Sequence, residues 1–470
     1  MNKNLKVLLK NISYSLSSNL ISLLASSLVV LVIPKLIGVE EYGLWQLYLF
    51  YSLYVGFLHF GWNDGIYLRY GGEVYENLNK KTFFSQFWLL LILQAIIGLI
   101  AYFFINYITD NFDKIFILKM TIICMLILNT RYMLFFILQA TNKIKEYAKI
   151  TILDRVMYLG VILIVIIFGY RDYKLLIGVD LLAKFSGLVY SVYLCKDIVL
   201  HNKWSFSVGI REMIINIKAG SKLMFANIAS KLMLGVVRFG IEFTWSVVVF
   251  GKISLILSMS NFLMTFINAT GLVIFPLLRR AEESKLPYYY ATLRNFLMSL
   301  LLGVLIFYYP VKVILSLWLP KYEDSFKYIG ILLPICVFES KMSLLVNTYF
   351  KALRKEKLIA QINFVTFVLS VLVTIVTTFF LKNLDMAVFS ITFLFAVRSV
   401  VSEIYLSRIL KVSLLRDVLL ELIIIFIFIA LSWFINTYVI VFLYSLVYMC
   451  YLIIKRNDLR TSYSVIKSYM

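Results

Sequence analysis

Lys231 and Arg238 stand inside one apolar run, with Asn227 before them and Glu242 after. At about 100° per residue these four side chains fall within about 60° of one another on a helix, so they form a single polar stripe. A cation at the middle of a bilayer costs on the order of 2.5 to 3.5 kcal/mol on insertion scales and normally faces a cavity or a partner. The chemistry such a stripe offers is recognition of an anion. A milder version lies on the first apolar run, where Ser15, Asn19, Ser22 and Ser26 share a face. Ser and Asn serve equally well there as glue between packed helices.

Other ionisable residues are embedded in apolar runs: Arg131, Asp154, Arg155, Asp180, Lys184, Lys312, Glu339, Lys341, Arg398 and Glu403, with Lys119 near an end. Asp180 and Lys184 are four residues apart with the acid first, the favourable order for a helical ion pair. Asp154 is next to Arg155 and points elsewhere on its helix, so its partner must come from a neighbouring one. Basic side chains in the runs outnumber acidic ones by about nine to about five, which predicts a cationic cavity. Asn19, Ser22, Ser26, Arg131, Asn227, Lys231, Arg238 and Arg398 are its candidate lining. Asp154, Asp180, Glu242, Glu339 and Glu403 are candidate carriers of a coupled ion, or partners of nearby cations such as Arg155 and Lys184.

The elements that must position these residues follow from composition. The chain has 470 residues, 62% hydrophobic and 15% charged, with mean hydropathy +0.90. That is far from a soluble domain and places the chain in a bilayer. Apolar runs of roughly 20 residues, each able to cross about 30 Å of hydrocarbon as a helix, recur throughout. Fourteen spans are expected, at about 12–34, 44–62, 83–107, 115–140, 148–169, 175–195, 219–241, 253–278, 295–317, 326–350, 358–381, 384–407, 417–436 and 437–454. No small-residue cleavage site follows the first run, so it is read as an uncleaved span.

Of the 46 Lys and Arg, about 29 fall in the termini and the even-numbered loops, which predicts both termini in the cytoplasm. The net charge of +21 is then a topology signal and not a nucleic-acid footprint. Cys124, Cys195, Cys336 and Cys450 are far apart with no CxxC pair, so no metal or disulfide is expected. His59 and His201 read as structural or solvated residues. The "NDG" at 63–65 reads as a turn signal at a span end. Walker loops, HExxH and nucleophile elbows are absent from the sequence, and the outer loops are short, so neither an enzyme nor a cofactor is expected.

A repeat organises the spans. At a spacing of 208 residues Asn19 falls on Asn227, Ser22 on Ser230 and Gly43 on Gly251. "QATNKIK" at 139–145 matches "KALRKEK" at 351–357 at a spacing of 212. The expected fold is an all-α polytopic membrane protein with about fourteen transmembrane helices. Residues 1–200 and 201–410 form two six-helix bundles related by a pseudo-two-fold axis along the membrane normal, and 411–470 add two further helices and a tail. This is a transporter plan, and a positively lined cavity between like bundles suits an anionic, sugar-bearing substrate.

Five stretches then carry a family resemblance: "IPKLIGVEEYGLWQLY" (33–48), "LQATNKIKEYA" (138–148), "FPLLRR" (275–280), "LWLPKYEDSFKYIGILLPI" (317–335) and "YFKALRKEK" (349–357). In this order over about 350 residues, the chain resembles the Wzx-like O-antigen and capsule repeat-unit flippases. These belong to the multidrug/oligosaccharidyl-lipid/polysaccharide (MOP) exporter superfamily. The resemblance implies a polyprenyl-diphosphate-linked oligosaccharide moved from the cytoplasmic to the outer leaflet of a bacterial cytoplasmic membrane, with the lipid tail near the last helices. Polysaccharide polymerase or export proteins would be its partners, besides membrane lipid. The first span carries neither Arg nor Asp, which sets the chain apart from lipid II flippases and shifts the cation burden to Lys231, Arg238 and Arg131. The alternatives are a drug or cation antiporter of the same superfamily, and a non-transporting scaffold of a polysaccharide synthase complex.

Overall fold

The computed structural model describes residues 27, 30–201, 204–261, 264, 285–435 and 437–461. Ser15, Asn19, Ser22 and Ser26 lie outside the described residues, and with them the stripe of the first span. The protein is 88% helical and has no strand among the described residues.

The longer helices are α1 (Val39–Val55), α2 (Trp62–Arg69), α3 (Lys80–Ile108), α4 (Phe112–Ala140), α5 (Ile144–Ile167), α6 (Tyr173–Leu194) and α7 (Phe206–Thr244). They continue as α8 (Val247–Asn261), α9 (Leu286–Trp318), α10 (Pro320–Ala352), α11 (Glu356–Phe380), α12 (Leu384–Leu410), α13 (Leu415–Phe434) and α14 (Val439–Ile454). Among the described residues ten of these, α3 to α7 and α9 to α13, are long and apolar enough to cross a membrane, and α8 and α14 are shorter apolar helices. Every expected span from the second to the fourteenth overlaps one of these helices, the eighth through α8 at 253–261, while 265–278 lie outside the described residues. Asn79, Asn111, Asp172 and Asn383 start α3, α4, α6 and α12, each side-chain oxygen accepting a first-turn backbone N–H.

Helix starts repeat along the chain. Val39 and Val247, Phe112 and Pro320, and Ile144 and Glu356 open helices 208, 208 and 212 residues apart. The turn after α4 and the turn after α10 share one geometry. Asn142 (φ 57°) and Arg354 (φ 54°) are both left-handed. Lys143 N–H donates to Leu138 O at 2.8 Å and Lys355 N–H to Phe350 O at 2.7 Å. These bonds close the same helix-ending motif at the two places where the sequence repeat was read.

The chain forms two compact units, 1–228 and 229–470. In the first, α4 is the most buried long helix, and Trp62, Leu90, Leu134 and Ile198 belong to its core. In the second, α10 is the most buried, and Tyr290, Tyr349, Leu406 and Val418 pack in its core. Residues 411–461, with α13 and α14, are part of this second unit. The division falls inside α7, whose 39 residues extend about 58 Å at 1.5 Å per residue. The sequence reading placed only 219–241 in a helix. No proline interrupts 206–244, so the helix runs on through the stretch read as a loop.

One expected span is broken. α1 ends at Val55, the chain turns through Phe60 (φ 54°) and Gly61 (φ 86°), and it restarts as α2. Asn63, Asp64 and Gly65, read as a turn signal at a span end, are therefore buried helix. The cause is backbone contact with α7: a Cβ on Gly65 would lie 1.9 Å from Asn216 O, and one on Gly220 2.1 Å from Gly61 O. Only glycine permits such an approach.

Candidate functional site

In the first unit amide side chains bind backbone carbonyls at and beside the helix break. Asn129 donates to Val55 O at 2.9 Å, Gln94 to Leu58 O at 3.0 Å, and Asn63 to Asn129 O at 3.2 Å. Gln86 accepts from Trp62 Nε1 at 3.0 Å and from Asn216 at 2.6 Å. Arg69 reaches Glu212 and Asn216, each at 2.7 Å, and fastens α2 to α7.

Two ion pairs sit elsewhere in this unit. Arg131 Nη1 lies 3.1 Å from Asp154 Oδ2, so the partner of Asp154 is on α4, while Arg155 points out and is exposed. Lys184 pairs with Asp180, and the same carboxylate accepts from Tyr48 OH at 2.7 Å. Cys124 Sγ accepts from Lys184 at 3.4 Å.

In the second unit, residues from 229 onward of α7 carry Lys231, Arg238 and Glu242; Asn227 lies just before, on the same helix and exposed. Lys231 is exposed and Glu242 half-buried. Arg238 donates to Ser254 Oγ at 2.9 Å, and its guanidinium stands 5.1 Å from the Phe250 ring. Arg398 of α12 pairs with Glu339 of α10 and donates to Ser230 Oγ at 3.1 Å. Ser230, one member of the repeated Ser and Asn positions, thus ties α7 to that pair. Gly240 lets α7 settle on α11, where a Cβ would lie 2.4 Å from Thr374 Cγ2.

Glu403 belongs to a separate cluster. Arg294 Nε lies 2.5 Å and Lys341 Nζ 2.6 Å from its two carboxylate oxygens, and Tyr290 OH donates to it at 3.1 Å. Glu421 of α13 lies 2.8 Å from Arg294 Nη2 and 3.2 Å from Lys341. Asp417 joins Arg294 at 3.5 Å and Lys455 at 2.6 Å. Three cations thus meet three carboxylates, five of the six almost without exposure and Asp417 partly exposed, which is the condition under which buried charge is tolerated. Reading the sequence singled out Lys341 and Glu403 but not Arg294, Asp417, Glu421 or Lys455. The one available signal was the four-residue spacing of Asp417 and Glu421, which puts two acids on one helix face.

Outside the spans, Asp197 lies 2.8 Å from Lys80 and accepts from Tyr75 OH at 2.8 Å. Burial raises its carboxyl, but the bonds from Lys80 and Tyr75 outweigh that and hold it below the ordinary value. Lys143 lowers Glu76 in the same way at the neighbouring loop.

This is an all-helical polytopic membrane protein whose intramembrane charges are mostly paired inside each unit. No protein-family model matches the chain, and no curated protein does. Solved structures do. A multidrug resistance MATE family transporter of the MOP superfamily, inward-facing, aligns at TM-score 0.64 and 13% identity over 83% of this chain and 94% of its own. The lipid II flippase MurJ, inward closed, aligns at TM-score 0.61 and 15% identity over 96% of this chain and 99% of its own. An outward-facing MATE transporter gives TM-score 0.51 at 14% identity, over 87% of this chain and 98% of its own. At these identities the likeness is one of fold, and the fold is that of MOP superfamily transporters.

Proposed function

We propose that the protein is a flippase that moves a polyprenyl-diphosphate-linked oligosaccharide repeat unit from the cytoplasmic to the outer leaflet of a bacterial cytoplasmic membrane by alternating access. The observation that carries this reading is the α7 face. Arg131, Lys184, Arg294 and Lys341 are each matched by a carboxylate inside their own unit. Lys231 and Arg238 stand on the long helix α7, Lys231 next to Ser230, which meets Arg398, and Arg238 on Ser254 Oγ, so three cations gather along this helix within the second unit. A diphosphate needs cations at its binding site. With about two negative charges it is also driven outward by an inside-negative potential, by about 2.3 kcal/mol per charge per 100 mV.

The extent of the fold likeness favours a flippase over a drug antiporter. The alignment with the lipid II flippase covers 96% of this chain, whereas that with the inward-facing multidrug transporter covers 83%. The difference is about the size of the segment from 411 onward, which holds α13 and α14 and which would take the lipid tail. Drug or cation antiport stays as the second reading because the inward-facing multidrug transporter has the higher TM-score.

The test is export of lipid-linked oligosaccharide in cells carrying Lys231→Ala with Arg238→Ala, with membrane protein level checked in parallel. Accumulation of intermediate inside, with normal insertion, is the expected result. Unchanged export removes the α7 face from the transport path and moves the scaffold reading ahead.

A further inference from the structure

The helix break of the first unit holds a buried acid that the proposed flippase chemistry does not use. Asp64 is 8% exposed and His59 4%, and His59 Nε2 lies 3.7 Å from Asp64 Oδ2. Among the described residues Asp64 makes no ion pair with Lys or Arg. The charged side chains of the helices around it are engaged elsewhere or point out. Arg69 of α2 is bound to Glu212 and Asn216, and Lys80 of α3 to Asp197. Arg131 of α4 is bound to Asp154, and Asp113, Lys114 and Lys119 lie toward the opposite end of that helix. Arg211, Lys218 and Lys222 of α7 are exposed.

The imidazole cannot supply the missing charge easily. Gly61 N–H donates to His59 Nδ1 at 3.0 Å, so Nδ1 is an acceptor and the ring proton sits on Nε2, facing Asp64. Protonating Nδ1 would set two donors against each other and break the bond that holds the left-handed Gly61. A carboxylate buried without a cation favours its neutral, protonated form. The oxygens Asn63 Oδ1 and Asn129 Oδ1 and the amide Gln86 Nε2 are also buried without a hydrogen-bond partner, so the polar groups of the helix break are incompletely satisfied.

We propose that Asp64 is a proton-binding site in the helix break of the first unit, with His59 as its positioning residue, and that its proton is the ion coupled to transport. In the deprotonated state the carboxylate faces the His59 Nε2–H. In the protonated state the acid is neutral, and its burial without a cation no longer carries the cost of a buried charge. His59 stays neutral in both, because Gly61 holds its other nitrogen. The binding step stands without any substrate assignment; its use in transport rests on the flippase reading.

The chain has only two histidines, His59 and His201, which makes the site directly readable. The full chain in lipid nanodiscs, labelled with 13C,15N-histidine, is followed by NMR from about pH 5 to about pH 8. His59 is expected to keep its Nε2–H neutral tautomer while its shifts move in one step, and that step is expected to vanish in Asp64→Asn with His201 unaffected. A His59 signal with no step, or one that becomes imidazolium equally in Asp64→Asn, overturns the site.

The second arm uses vesicles carrying a fluorescent polyprenyl-diphosphate disaccharide and an imposed pH gradient. The wild-type flipping rate is expected to depend on the gradient, and the Asp64→Asn rate to be insensitive to it. Equal gradient dependence in both overturns the coupling. A wild type that does not flip the probe at all, with the NMR step present, counts against the lipid-linked oligosaccharide reading and upholds proton binding at Asp64.

Discussion

Lys341 of α10 and Glu421 of α13 lie 3.2 Å apart with almost no exposure, and both also reach the Arg294 and Glu403 pair. α13 belongs to the chain beyond the sequence repeat. Its acid is thus held by cations of the repeated helices, and α14 is drawn in through Lys455 and Asp417. Two other contacts reinforce the attachment: Tyr444 OH donates to Leu302 O at 2.9 Å and Tyr448 OH to Ser299 O at 2.8 Å.

Removing one member of this cluster leaves a buried charge without its partner. Lys341→Met is expected to destabilise the protein by about 3 to 5 kcal/mol. The charge-exchanged pair Lys341→Glu with Glu421→Lys is expected to recover part of that loss. Thermal unfolding in detergent reads both, and a Lys341→Met protein as stable as wild type contradicts the account.

The backbone contact between α2 and α7 makes a sharper demand. Gly65→Ala places a Cβ 1.9 Å from a carbonyl oxygen that belongs to a helix and cannot move alone. Loss of monodisperse protein on gel filtration is expected. Gly178→Ala in α6 meets nothing within 4 Å and is expected to be neutral or stabilising by up to about 1 kcal/mol. If Gly65→Ala behaves like Gly178→Ala, the approach of the two helices is wrong.

Arg131 and Asp154 are 3.1 Å apart on α4 and α5 and largely buried. A double-mutant cycle with Arg131→Met and Asp154→Asn is expected to give a coupling of about 0.5 to 3 kcal/mol, since residues in direct contact are not additive. Additive effects on unfolding would show that the two charges do not meet.

Asp197 supplies a pH dependence. Its carboxyl is held below the ordinary value in the folded protein. Its contribution is therefore present above the unfolded value near about pH 4 and is lost as pH falls through the lower folded value. The aspartate is partly exposed, so the contribution is about 0.2 to 1 kcal/mol. Unfolding measured against pH should show Asp197→Asn less stable than wild type at neutral pH and equal to it in acid. A difference that persists unchanged in acid would mean that Asp197 acts by packing and not by charge.

The amino-acid sequence by itself determined the membrane class, the approximate place of most of the described helices and the matching turns at Asn142 and Arg354. Each rests on information local to one segment: a run of roughly 20 apolar residues favours a helix from its own composition, the broken 44–62 run being the exception, and Asn142 and Arg354 close matching turns where the sequence matches. Charge partners are not local. That Asp154 meets Arg131, that Glu403 joins Arg294, and that "NDG" is buried helix depend on which faces of distant helices touch. Only the tertiary structure decided that, because a buried charge is made acceptable by whatever lies across the contact, and Gly61 and Gly65 on one side with Gly220, far off in the chain, on the other decide how near α2 and α7 can come.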